Sequence, residues 1–270
     1  VFIIINAPPG DYLTTLEMEL KTQGDPAAEY RLQNLRRRYG IGQPLYVRYW
    51  KWVSNFVRGD LGESFEWQEP VTEVIGDRLT LTFILALSTL VFTWVVGIPI
   101  GIYSATHQYS LGDKFFTVFG FLGLATPNFL LALVVLYISA VHFNVSSVGG
   151  LFSPEYQDVS WNLAKFIDFL KHLWIPVLIV GTYQLATIIR VMRSNMLDIL
   201  GQPFVTTARA KGLTDRIVVY KHSLRVAINP LISMMGMQLP RLVSGTMIVA
   251  LVLNIPTMGP LLYRALISQD

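Results

Sequence analysis

Leu79–Thr106, LTLTFILALSTLVFTWVVGIPIGIYSAT, contains no charged residue. As an α-helix it is ~42 Å long, more than the ~30 Å hydrocarbon core of a bilayer, so it spans with tilt or overhang to spare. His107 to Lys114 is a short polar connection, and Phe115 to Val141 is a second charge-free run. That run is interrupted by Thr126-Pro127-Asn128. Proline and asparagine at mid-depth must face protein or a water-filled path, because lipid cannot satisfy the freed backbone groups. Asn128 is therefore a candidate lining residue of such a path. Leu173 to Ile189 reads as a third, shorter span ending at Arg190 and Arg193, and Val226 to about Leu253 as a fourth. Composition agrees: of 270 residues 52% are hydrophobic and 14% charged, and the mean hydropathy is +0.46. An ordinary soluble domain is less apolar. The expected fold class is all-α, a polytopic protein crossing the cell membrane several times.

Upstream of the first run, the chain opens with VFIIINAPPGD, which reads as the outer end of a membrane helix whose start is missing. Its last residues, LISQD, stop abruptly, so both ends are expected to be truncated. Between Pro9 and about Gly76 lies a polar segment. Asp25-Pro26 starts a helical pattern ending near Tyr39-Gly40. Pro44 starts another, with Leu45, Tyr49, Trp52, Val53 and Phe56 on one face. That aromatic face suits a helix lying at the membrane interface; a small soluble cap packing on itself fits equally. Arg36-Arg37-Arg38 lies among acidic residues in a membranous setting, which favours a solvated face over nucleic-acid binding.

Downstream, Pro203–Pro230, PFVTTARAKGLTDRIVVYKHSLRVAINP, is the one long basic passage between apolar runs. It reads as two short helices broken at Gly212. Pro203 suits a first helical position, where a missing N–H costs nothing. Phe204, Val205 and Ala208 fall at i, i+1 and i+4, a small apolar face backed by Arg209 and Lys211. Gly212 is a left-handed stop. Thr214 can cap the next helix, with Leu213 and Val218 placed as a hydrophobic staple. Such a helical knob is shaped to be gripped by another protein, although basic loops also arise from the positive-inside rule alone. Arg190, Arg193, Arg209, Lys211, Arg216, Lys221 and Arg225 crowd this connection against Asp198 and Asp215, so it is cytoplasmic and the segment before Gly76 is exterior. The loop from about Asn144 to Lys171 is exterior too.

Arg241 lies about midway along the fourth run, where an arginine costs ~2.5–3.5 kcal/mol on insertion scales. It either lines the water-filled path or, with the span broken at Pro240, bonds freed carbonyls. Other chemistry finds no foothold. With no cysteine there is no disulfide framework or thiol chemistry. No GxxxxGK[ST] phosphate loop and no Gly-x-Ser-x-Gly elbow occurs. His107, His142, His172 and His222 are far apart and lack metal-ligand spacing. An ion-gradient-driven transporter needs buried carboxylates or histidines as relays, and the charge-free runs hold none.

Thr207-Ala208-Arg209-Ala210-Lys211-Gly212-Leu213, followed by His222-Ser223-Leu224-Arg225, resembles the cytoplasmic loop of permease subunits in ATP-binding-cassette importers. The likeness is to the dipeptide, oligopeptide and nickel branch, B-type subunit. Tyr39-Gly40-Ile41-Gly42-Gln43-Pro44-Leu45 and Arg58-Gly59-Asp60-Leu61-Gly62-Glu63-Ser64-Phe65 look like its external segment. Gly97-Ile98-Pro99-Ile100-Gly101, Pro127-Asn128-Phe129, Arg193 to Gln202 and Pro256-Thr257-Met258-Gly259 look like its later passages in order. The family usually has a small residue where this chain has Arg241, and commonly a glutamate where it has Ala250.

The resemblance implies a type I importer transmembrane fold. Residues 1–9 would end a first membrane helix, 10–76 form an extracytoplasmic helical segment, and 77–270 form the permease core with a coupling loop at 194–225. It implies a coupling helix that docks on the ATPase through Phe204, Val205, Thr207, Ala208, Arg209, Ala210, Lys211 and Gly212. It further implies a solute path touching Asn128 and Arg241, and di- or oligopeptide cargo, with oligosaccharides or nickel as alternatives. No cofactor is expected on this chain; ATP and Mg would sit on partner subunits. The implied partners are a second permease subunit, two ATPase subunits, an extracytoplasmic substrate-binding protein and the bilayer, with no nucleic acid. The chain itself would not be an enzyme.

Overall fold

The computed structural model describes residues 43–64, 66–143, 149–157 and 159–268. The readings made above for the chain start, the Asp25–Gly40 helix and Arg36–Arg38 lie outside these residues. The chain divides into two compact units, Val1–Leu79 with Leu261–Asp270, and Thr80–Pro260.

In the first unit, α1 (Leu45–Val57) begins after Pro44, whose φ of −54° is already set for a helix start. Tyr49, Trp52 and Phe56 stack along one side of α1, with ring centroids 6.4 and 5.8 Å apart. All three rings are exposed, the character of a helix lying at a lipid–water interface. A tight turn follows, closed by Ser64 N–H to the Glu69 carbonyl and Val71 N–H to the Gly62 carbonyl.

The helix expected to begin near Leu79 starts earlier: α2 runs Val71–Thr106. Gly76, Asp77 and Arg78 lie inside it, because nothing between Val71 and Leu79 breaks a helix. The second charge-free run is two helices, α3 (Leu111–Ala125) and α4 (Asn128–Phe143), meeting at 101°. Pro127 forces the bend: its ring bars the preceding residue from helical geometry, and Thr126 is extended with ψ 120°. Neither half alone matches the ~30 Å of a hydrocarbon core, so the run is not one straight crossing but a broken crossing or a re-entrant loop.

The third span differs most from expectation. α5 runs Leu163–Leu200, 38 residues, or ~57 Å. The expected limits, Leu173 and Ile189, marked where charge begins; charge sets the membrane boundary but does not end a helix. The true start is the Asn162 cap, which accepts the Lys165 N–H at 2.8 Å. The true stop is Gly201 followed by Pro203. Near the N-terminal end of α5, Ser153 donates both N–H and Oγ–H to Asp168, each at 2.7 Å. The Lys165 ammonium lies over the Phe152 ring at 4.9 Å. Both groups pin the preceding loop to α5.

The fourth expected span is also broken. A helical stretch at 215–227 leads to α8 (Asn229–Gly245), and α9 (Met247–Val252) follows after Thr246. Pro230 and Pro240 remove two amide donors from this stretch. α10 (Met258–Ser268) completes the described chain. Among the described residues, two helices are long and apolar enough to cross a membrane, or three if the bent pair is one crossing.

In the second unit α2, α3 and α5 pack closely. A Cβ placed on Gly97 would lie 2.8 Å from Ile188 Cγ2, and one on Gly101 2.6 Å from Met192 Cβ. Glycines four apart let two backbones approach this far. Gly123 faces Thr182 in the same manner between α3 and α5, at 3.0 Å. One apolar cluster gathers Leu85, Leu90, Leu151, Phe169, Val177 and Leu253. A second gathers Ile102, Ile188, Met192, Met196, Ala227 and Leu231.

Candidate functional site

The basic passage after α5 folds into a knob. α6 (Pro203–Ala210) starts with Pro203 in its first turn after Gln202. It ends in a Schellman motif: Leu213 N–H bonds the Ala208 carbonyl at 3.4 Å and Gly212 N–H bonds the Arg209 carbonyl at 2.9 Å. Gly212 has φ +78°, the left-handed conformation expected from its position. No atom lies within 4 Å of where its Cβ would be, so the strain of a side chain there is purely conformational. Gly212→Ala should cost about 1 kcal/mol. Amide exchange across 203–212 should rise about fivefold if that loss is local.

Beyond Gly212, α7 is helical from 215 to 227 but changes type: Asp215–Ile217 is α, Val218–Ser223 is π and Leu224–Ala227 is α. Thr214 occupies the cap position, yet its side chain makes no capping bond. Leu213 does pack with Val218 in the knob's interior, as a staple requires. Arg209 and Asp215 close the knob's outer surface with an exposed 3.3 Å pair, worth little in water.

The phase of α6 separates the residues implicated by its sequence. Val205 and Ala208 are buried, packed with Val218, Ile199, Leu200 and Leu213. Phe204, Thr207, Arg209, Ala210, Lys211 and Gly212 are exposed. The three apolar positions therefore do not form one outward face: Phe204 points away while the other two hold the knob to its base. The base is α5, and Asn195 Nδ2 on that helix donates to the Ala227 carbonyl at 3.1 Å, clasping α7 from the far end.

Of the residues assigned to a solute path, Asn128 opens α4 half-buried and donates its amide to the Val180 carbonyl at 3.4 Å. Its side chain serves contact between helices of this chain. The Arg241 side chain lies outside the described residues. Ala250, the position of a common family glutamate, is buried in the first apolar cluster. A pairing that the spans did not reveal is Trp94 Nε1 with Gln238 Oε1, 3.3 Å apart.

A contact missed by sequence reasoning lies at the knob end of the helices. Asp113 on α3 and Arg193 on α5 form a bidentate pair, Nε to Oδ1 at 2.8 Å and Nη2 to Oδ2 at 2.9 Å. One lies in the polar connection after the first charge-free run and the other at the end of the third, one crossing to either side of the exterior loop. Opposite charges at equal depth were the available signal.

Comparison with known proteins places the chain in a family. Residues 97–270 match the family described as "Binding-protein-dependent transport system inner membrane component". The chain is 34% identical over its whole length to the oligopeptide transport system permease protein AppB of Bacillus subtilis, covering 82% of that protein. It is 29% identical, again over its whole length and 82% of the relative, to the dipeptide transport system permease protein DppB of Escherichia coli. A glutathione transport system permease protein, GsiC of Escherichia coli, is also 29% identical, with 81% of its length covered. The chain thus belongs to the inner-membrane components of binding-protein-dependent transport systems, as a multi-pass permease subunit of an ATP-binding-cassette importer.

Proposed function

We propose that this chain forms half of the translocation path for di- or oligopeptides. In this reading an extracytoplasmic binding protein delivers the cargo, and a second permease subunit supplies the other half. Two ATPase subunits bind ATP and Mg and carry out hydrolysis. The peptide assignment is supported by the names of relatives that match along the whole of this chain.

The observation that carries the docking role is the divided knob. Its inner side is fixed to the end of a 38-residue helix, while Phe204, Thr207, Arg209, Ala210 and Lys211 stay exposed beside it. The exposed side meets the ATPase; Val205 and Ala208 contribute by holding that side in place. ATP moves the knob because the ATPases bind it with different strength in their two arrangements, and only such a difference can shift the permease between states.

The cysteine-free chain allows a direct test. Ala210→Cys, on the exposed side, should crosslink to a co-expressed ATPase subunit with an efficiency that changes with nucleotide. Val205→Cys, in the interior, should not. Failure of Ala210→Cys to reach the ATPase in any nucleotide state would remove the docking assignment.

A further inference from the structure

We propose that Asp113 and Arg193 form the latch that passes displacement of the 203–227 knob to α3, making both positioning residues for transport. The inference rests on the docking role just described. Asp113 is nearly buried, with 4% of its side chain exposed. Its carboxylate also accepts the Tyr109 N–H at 2.9 Å and the Thr117 hydroxyl at 3.4 Å. The Asp113 N–H is itself capped by Ser110 Oγ at 3.1 Å. The carboxylate is therefore fixed to the α2–α3 connection on one side and to α5 on the other.

That connection is stiff. Tyr103 stacks on His107 at 4.7 Å and meets Phe116 edge-on at 6.1 Å. A Cβ on Gly112 would fall 2.5 Å from the Tyr103 hydroxyl oxygen. Anything that moves Asp113 therefore carries the end of α2 with it. On the other side, Arg193 lies on the same unbroken helix as Leu200, against which the knob packs. About two helical turns, or ~10 Å, separate Arg193 from Leu200.

The pair sits at the edge of a local gap between two otherwise packed helices. Beside it, α3 and α5 form an open cleft of about 300 Å³, lined by Phe116, Phe121, Leu124, Arg190, Leu197 and Arg193 itself. Beside that open space, the two charge-assisted bonds tie α3 directly to α5. A planar guanidinium facing a carboxylate resists both sliding and rotation, which a single point contact does not. Coupling between distant sites needs contiguous physical contact of this kind.

The test uses the importer assembled with its ATPase subunits. Spin labels at Leu111→Cys on α3 and Asp198→Cys on α5, both exposed positions, report the separation of the two helices with and without trapped nucleotide. With the pair intact, α3 follows α5 and the separation stays constant. With Asp113→Asn, α5 should move without α3, so that trapping nucleotide shifts the separation. Arg193→Lys should show the same shift, since it keeps the charge and loses the fork. A separation unaffected by either variant in both states overturns the latch. So does one broadened equally with and without nucleotide, which would mark a merely structural pair. The Ala210→Cys crosslink in the same variants keeps the two readings apart: its loss in the parent chain removes docking, whereas its persistence with an unshifted separation removes the latch alone.

Discussion

Gly101→Val is expected to prevent the permease core from assembling. The Cβ alone would sit 2.6 Å from Met192 Cβ and 3.0 Å from the Ile189 carbonyl oxygen. Neither atom can swing aside: one is the first side-chain atom of α5 and the other belongs to its backbone. Relief requires α2 and α5 to separate, which also opens the neighbouring Gly97–Ile188 approach. In a membrane, helices hold together by close packing and not by exclusion of water, so lost approach is lost association. The cost should reach about 3 kcal/mol, the upper end of ordinary overpacking. Thermal unfolding in detergent should show a lower midpoint or no folded material. Gly236→Ala is the matched control, because nothing lies within 4 Å of its added carbon. Equal melting of the two variants would mean that the α2–α5 approach is not what holds the core.

Val205→Asp is expected to abolish transport while leaving the chain in the membrane. Val205 is fully buried among Ala208, Val218, Ile199, Leu200 and Leu213, none of which offers a side-chain polar partner. A buried carboxylate without a partner costs several kcal/mol even after relaxation. α6 must then detach from α5, and the exposed side of the knob loses its fixed position. The apolar helices that cross the bilayer are untouched, so expression and insertion should remain normal. Thr206→Asp supplies the comparison: it adds the same charge one residue along, exposed and near the helix N-terminus, where an acid is favoured. Capture of the ATPase by the purified permease should be lost in the first variant and kept in the second. Normal capture by Val205→Asp would show that the knob's interior does not support docking.

Both variants act on contacts that sequence exposed unevenly. The Gly97–Gly101 passage was visible as a motif, but the partner residues on α5 were not. Pro203 and Gly212 were legible as start and stop because each acts through its own backbone geometry. The bend at Pro127 was legible as an interruption, yet its size was not. α5 outruns the Leu173–Ile189 span at both ends, because charge marks a membrane boundary whereas the helix stops only at Gly201 and Pro203.

What the sequence determined by itself is the set of properties carried by single residues and short runs. These are the charge-free stretches that must enter lipid, the prolines and glycines that punctuate them, and the side on which the basic residues gather. What only the tertiary structure decided is which way each helix faces and what each charge meets. Val205 and Ala208 turn inward, and Phe204 does not, because Val218 and Ile199 close over one side of α6. Arg193 is held because Asp113, 80 residues earlier, arrives opposite it. Helical phase and ion pairing depend on the approach of distant backbones, and no local pattern in the chain encodes that distance.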